Sequence, residues 1–195
     1  MPASSEHRKT VRHIDDPGHA HELTFSCYQR LPLLTNDRWR ILLSQGIDQA
    51  VERHRYRLVA FVYMPEHVHL LVYPTREASP VADLLTSIKR PVSHRIKQAL
   101  AASRSPMLQR LTIQQRPGVS TFRFWQEGPG YDRNITESVV ALAVVDYIHL
   151  NPVRRKLCQQ AADWRWSTAR YYQEFDGPRD TDLPRVEKLP AEFLK

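Results

Sequence analysis

The chain has 195 residues, 42% of them apolar, with 28 Lys and Arg, mostly arginine, against 21 Asp and Glu, for a formal net charge of +7. This length and apolar content suit one compact domain and exclude a fibre. The charge fits a polyanionic partner but equally describes an ordinary basic protein, so charge alone decides nothing. Cys27 and Cys158, far apart and in no metal-type spacing, exclude a disulfide framework and a cysteine zinc site. No stretch approaches the ~20 apolar residues of a membrane span, and the polar N-terminus lacks a hydrophobic signal core. The expectation is a soluble protein of the reducing cytoplasm with no membrane partner.

In chain order, residues 1–18 carry Arg8, Lys9 and Arg12 without apolar periodicity and end in Pro17-Gly18, the pattern of a flexible basic arm. Residues 23–28 read as a first strand. Trp39, Ile41, Leu42, Leu43 and Ile47 predict an amphipathic helix over residues 37–54, capped by Asn36 or Thr35. Residues 56–63 and 67–73 are β-branched and aromatic runs separated by Met64-Pro65-Glu66, hence two strands and a tight connection. Residues 80–100 return to helical spacing, with Pro91 expected to kink or divide the helix. Residues 101–120 read as a basic loop with room for one short helix, residues 122–126 as a strand, and Gly128-Pro129-Gly130 as a turn.

Thr136 and Glu137 open a run that Pro152 closes, which predicts a helix over residues 136–151. The valine-rich residues 139–145 also suit a buried strand, but length favours the helix. A terminal helical piece is expected to start within residues 163–169, followed by a polar tail over residues 173–195.

On a strand, His67 and His69 share one face while Val68 and Leu70 share the other. Two neutral imidazoles beside a buried scaffold suit Mn²⁺, Co²⁺ or Zn²⁺, and Mg²⁺ where phosphate oxygens complete the shell. For an isolated H-x-H, two solvent-facing histidines are the commoner outcome. His19 and His21 form a second H-x-H that lacks a continuous apolar strand after it and ranks as structural. On a helix, Tyr147 and Asn151 lie four residues apart on one face, so a phenol and a carboxamide oxygen point the same way. A tyrosine beside a cation-bound phosphate is an activated nucleophile; a lone tyrosine is more often a half-buried packing residue.

The run Tyr63-Met64-Pro65-Glu66-His67-Val68-His69-Leu70-Leu71-Val72, followed some eighty residues later by Asp146-Tyr147-Ile148-His149-Leu150-Asn151-Pro152-Val153, closely resembles the IS200-like single-tyrosine (HUH) transposases. It is most similar to their REP-associated tyrosine branch, as are Phe124-Trp125-Gln126, Tyr131-Asp132-Arg133 and Asp163-Trp164-Arg165-Trp166-Ser167, so the similarity runs from about residue 20 to 172. The resemblance implies an α+β, ferredoxin-like antiparallel sheet with helices packed on it, a catalytic domain over residues 19–172, and extended terminal segments. It also implies His67 and His69 as metal ligands, Asn151 as a polar third ligand where insertion-sequence relatives often carry glutamine, and Tyr147 as nucleophile. The implied cofactor is Mg²⁺ or Mn²⁺. The implied activity is cleavage and rejoining of single-stranded or hairpin DNA at REP-like palindromes through a 5′-phosphotyrosine link.

Lys89, Arg90, Arg95, Lys97, Arg123, Arg133, Arg154 and Arg155 are candidate contacts to the DNA backbone, and Trp125 is a candidate platform for an unpaired base. Tyr131 is the competing nucleophile, and Tyr171-Tyr172 offers a pair. Histidine-triad hydrolases need a third histidine where residue 71 is Leu. A domesticated hairpin-binding protein that no longer cuts stays open as the non-enzymatic alternative, as do monomer and homodimer. The expected location is the cytoplasm, at the nucleoid.

Overall fold

A computed structural model describes residues 18–75, 77–128, 130–174 and 179–194. Apart from Gly18, the N-terminal arm lies outside the described residues, as does part of the tail. The core follows the order β1 (Ala20–Ser26), α1 (Asp37–His54), β2 (Tyr56–Tyr63), β3 (His67–Pro74), α2 (Val81–Ala102). After α2 come α3 (Pro106–Arg110), the hairpin β4 (Thr112–Arg116) and β5 (Val119–Phe122), then β6 (Tyr131–Ile135), α4 (Ser138–Arg154) and α5 (Ala169–Gln173). Strands β2-β3-β1-β6 form one antiparallel sheet in that spatial order, which is the ferredoxin-like arrangement.

The two faces of the sheet hold different cores. Leu23, Phe25, Leu58, Phe61, Val68, Leu70 and Val72 face α1 and α2, whose Leu43, Ile47, Leu84, Ile88, Val92 and Ile96 complete that layer. Each such buried aliphatic side chain contributes roughly 1.5–3 kcal/mol. On the other face Ala20, Leu71, Tyr73 and Ile135 meet Ala141, Val144, Val145 and Ile148 of α4. A register shift between Leu58 and Ala60 turns both Val59 and Ala60 to the α4 side before alternation resumes.

Helix α1 and strand β2 keep their sequence-read limits. Asn36 accepts from the Arg38 and Trp39 amides, and Arg55 closes the helix in the left-handed region. Other elements depart from expectation. Strand β1 begins earlier, at Ala20. Helix α2 is not divided at Pro91, and its apolar stripe is buried on both sides of that residue. The expected basic loop contains the β4–β5 hairpin, whose exposed Thr, Gln and Arg residues give no apolar alternation. Of the strand expected over residues 122–126, Phe122 ends β5 and Trp125 makes a single bridge to Cys27, and the edge of the main sheet is instead β6.

Helix α4 starts two residues late, with Glu137 rather than Thr136 at its cap, and runs through Pro152 to Arg154. Pro152 is buried in the last turn, where it costs the helix one amide hydrogen bond close to the point at which the helix ends. The terminal helical piece is split: residues 166–168 run extended along β2, with Tyr63 N donating to Trp166 O and Thr168 N donating to Phe61 O, before α5 begins. Within the C-terminal segment, Leu189 and Phe193 are buried against the α4-side core. No described helix is long and apolar enough to cross a membrane.

Gly130 has φ +83°, and a Cβ there would lie 2.3 Å from the Thr24 carbonyl oxygen. Gly130→Ala is therefore expected to destabilise the fold by about 2 kcal/mol or more, from left-handed backbone strain plus a backbone clash. Urea denaturation monitored by tryptophan fluorescence measures it; unchanged stability would show that the β1–β6 edge yields freely.

Candidate active site

The connection after β2 is fixed by backbone bonds, since Met64 N donates to His67 O, Cys27 N to Glu66 O and Leu34 N to Pro65 O. Strand β3 therefore starts in a set register, with Val68 and Leu70 in the α1–α2 core and His67 and His69 turned toward α4. The two Nε2 atoms lie 3.0 Å apart. His67 Nδ1 is 3.1 Å from a Glu66 oxygen, and His69 Nδ1 is 2.8 Å from Thr24 Oγ1.

These partners set the tautomers. Burial opposes ionisation of Glu66, yet the Arg155 hydrogen bond and charge, together with the His67 ring hydrogen bond, hold its carboxyl below the ordinary range. An ionised carboxylate only accepts, so His67 carries its proton on Nδ1 and leaves Nε2 bare. A hydroxyl either donates or accepts, so His69 can offer Nε2 as a donor to His67 or, with its tautomer reversed, as a second lone pair. Burial pushes both rings below the usual imidazole value, His69 to about 3, and a proton on one ring would further oppose a proton on the other, so both are neutral at neutral pH.

The donor set fits a divalent cation. Two nitrogens about 2.1 Å from one ion at right angles are about 3.0 Å apart, the separation found here. Among the described residues no group of three or more His, Cys, Asp or Glu side chains could hold a metal ion.

Helix α4 brings up the rest. The Tyr147 ring stands edge-on to His69, with centroids 5.5 Å apart and planes at 87°. Tyr147 is 38% exposed, and the Arg154 guanidinium lies 5.3 Å from its ring centre. Asn151 is buried and its Nδ2 donates to Tyr147 O at 3.0 Å, which leaves the carboxamide oxygen for another partner. His69 and Tyr147 border an open groove of about 750 Å³ that also includes Glu22, Thr24, Tyr131 and Arg133. Along one row across the sheet, Val62, His69, Thr24 and Tyr131 are successive partners.

A strand-borne imidazole pair one helix away from a partly exposed phenol could serve phosphoryl transfer if a cation were bound. The model of the family described as "Transposase IS200 like" matches residues 18–151. The chain belongs to the IS200-like transposases. Among solved structures, a REP-associated tyrosine transposase bound to a REP hairpin is similar to this transposase at 22% identity and a TM-score of 0.61, with 96% of each chain covered. A protein from Deinococcus radiodurans R1 assigned as a transposase aligns at 17% identity and a TM-score of 0.41, over 74% of this chain and 95% of its own. The first of these likenesses bears on the fold alone. No curated protein sequence matches this transposase.

The candidate DNA residues of this transposase fall in two places. Arg133 lines the groove, 3.9 Å from Glu22, while Arg154 and Arg155 sit at the end of α4. Lys89, Arg90, Lys97 and Arg123 instead line a cleft of about 910 Å³ on the α1–α2 side, together with His94 and Trp125. Burial lowers the Lys89 ammonium to about 8, and it sits 5.0 Å over the Phe25 ring. Arg95 lies apart from both, donating to Gln45 Oε1.

Trp125 does not offer a free ring face: at 6% exposed it packs edge-on against Phe25 and Phe124, and its indole N–H donates to Lys89 O. The ring fills core space, and the expectation of a stacking platform there is corrected. His21, from the second H-x-H, is buried and bound to Asp132. Tyr172 donates to Val59 O, and burial pushes its hydroxyl up to about 12, which weakens it as a nucleophile. Tyr131, 52% exposed, shares the groove with Tyr147. Sequence reasoning missed Thr24 and Glu66 as partners of the histidines; the carboxylate directly before His67 was the one available signal.

Proposed function

We propose that this transposase cuts and rejoins single-stranded DNA at hairpin or REP-like palindromes, with Tyr147 as nucleophile and His67, His69 and Asn151 holding Mg²⁺ or Mn²⁺. The observation that carries the reading is the placement of the Tyr147 ring edge-on to His69, whose Nε2 converges with that of His67. The hairpin bound by the REP-associated relative is the reason for choosing this substrate class.

In this reading the scissile phosphate enters the groove between β1, β6 and α4. Tyr147 gives up its proton and its oxygen attacks phosphorus; the P–O3′ bond breaks, and the departing oxygen takes up a proton to become a free 3′-hydroxyl. A later hydroxyl attack on the 5′-phosphotyrosine reverses the step and releases the tyrosine. The bound cation supplies charge stabilisation to the phosphoryl oxygens. Glu66 and Thr24 hold the imidazoles in orientation, Arg154 packs over the Tyr147 ring and holds it in place, and Arg133 is placed to hold a neighbouring phosphate.

The binding half of this reading is tested by fluorescence anisotropy of a labelled hairpin across a salt series without metal. Affinity is expected to fall with a log-log slope of roughly −0.7 for each single-strand phosphate neutralised. Replacing Lys97 and Arg123 together by Ala is expected to make the slope shallower. A flat response would remove the basic DNA track. The catalytic half is tested by incubating the protein with Mn²⁺ and the hairpin, which should yield a denaturant-resistant protein–DNA adduct; tight binding with no adduct in any metal would favour a hairpin-binding protein that does not cut.

A further inference from the structure

We propose that Glu66 and Arg155 form a positioning clamp that sets the metal-ligand orientation of His67 and the placement of the Tyr147 helix through one shared carboxylate. The inference rests on the metal-dependent tyrosine reading above. Glu66 is buried in the turn ahead of β3, and its Oε1 meets both His67 Nδ1 at 3.1 Å and Arg155 Nη1 at 2.8 Å. Arg155 is the C-cap residue directly after α4, which continues past Pro152 to Arg154. Tyr147, Asn151 and Arg155 recur every four residues, so nucleophile, carboxamide and clamp share one side of the helix.

The physical consequence is coupling. With the carboxylate in place, His67 is held with Nδ1 protonated and Nε2 directed at the point where His69 Nε2 converges, as in other sites where a carboxylate orients a metal-binding imidazole. The same oxygen anchors the end of α4, so a helix that drifts away from β3 must give up the ion pair. Arg155, expected from sequence to bind DNA phosphate, has Nη1 committed to Glu66 instead. That gives two uses of one guanidinium with different signatures.

The test uses the full chain, with Mn²⁺ binding followed by electron paramagnetic resonance of the free ion and hairpin binding measured in EDTA. Glu66→Gln is expected to weaken Mn²⁺ binding by about 10–100-fold. Arg155→Met, a change at a half-exposed side chain that spares the core, should weaken it in the same direction while leaving hairpin affinity and its salt slope within twofold. Arg155→Lys should recover most of the loss, and the double variant should bind Mn²⁺ no more weakly than Glu66→Gln alone, because both changes break one unit. Thermal melts confirm that each variant is folded.

If Arg155→Met lowers hairpin affinity and flattens the salt slope by about 0.7 with Mn²⁺ binding unchanged, Arg155 is a phosphate contact and the clamp is overturned. Wild-type Mn²⁺ binding in folded Glu66→Gln overturns it equally. If the unaltered protein neither binds Mn²⁺ nor forms an adduct, the proposed function fails first and the clamp falls with it.

Discussion

Tyr147→Phe should lose covalent adduct formation by at least about 10³-fold while binding the hairpin as the unaltered protein does, because only the nucleophilic oxygen is removed. The ring stays, so its edge contact with His69 and its place under Arg154 are kept. Tyr131→Phe is the matched control: Tyr131 is more exposed and sits in the same groove, two strands from His69, without that edge contact. It should keep adduct formation within a few fold. Denaturing gels with a hairpin labelled on the 5′-phosphate side of the cut read both, and a reversed pattern would make Tyr131 the nucleophile.

Removing an imidazole should have an effect of similar size for a different reason. His67→Ala leaves His69 as a single nitrogen ligand and strips Glu66 of one hydrogen-bond partner. Adduct formation at millimolar Mg²⁺ is expected to fall by more than about 100-fold, the upper range for loss of a mere supporting group around a metal. Its residual activity should no longer respond to Mn²⁺ concentration. His149→Ala is the contrasting case, because that histidine faces Thr168 on the other side of α4. It should lower stability rather than metal response. Full metal dependence in His67→Ala would place the cation elsewhere.

The parts of the fold that were legible in sequence are those whose own residues decide their state. Residues 56–63 and 67–74 are rich in apolar and aromatic side chains because both faces of those strands are buried, and α1 carries its own cap at Asn36. Strand β6, by contrast, reads Tyr-Asp-Arg-Asn-Ile and exists because β1 offers it an edge, a partner over a hundred residues earlier. The β4–β5 hairpin is likewise polar and held by pairing.

The site divides along the same line. His67 and His69, two residues apart on a strand, and Tyr147 and Asn151, four apart on a helix, are local patterns that sequence displays. Glu66 with Arg155, separated by 89 residues, and Thr24 with His69, separated by 45, are contacts that only the folded chain creates. Trp125 failed as a DNA platform for the converse reason, since nothing in its neighbourhood in sequence announces that Phe25 and Lys89 will enclose it.

The attacking oxygen is identified by mass spectrometry of the covalent adduct after nuclease and trypsin digestion. Cleavage after arginine puts Tyr131 in the peptide 124–133 and Tyr147 in the peptide 134–154, so the two candidates separate cleanly. A phosphonucleotide is expected on the Tyr147 peptide, formed only when Mg²⁺ or Mn²⁺ is present. A modified Tyr131 peptide, or an adduct that forms equally well in EDTA, would contradict it.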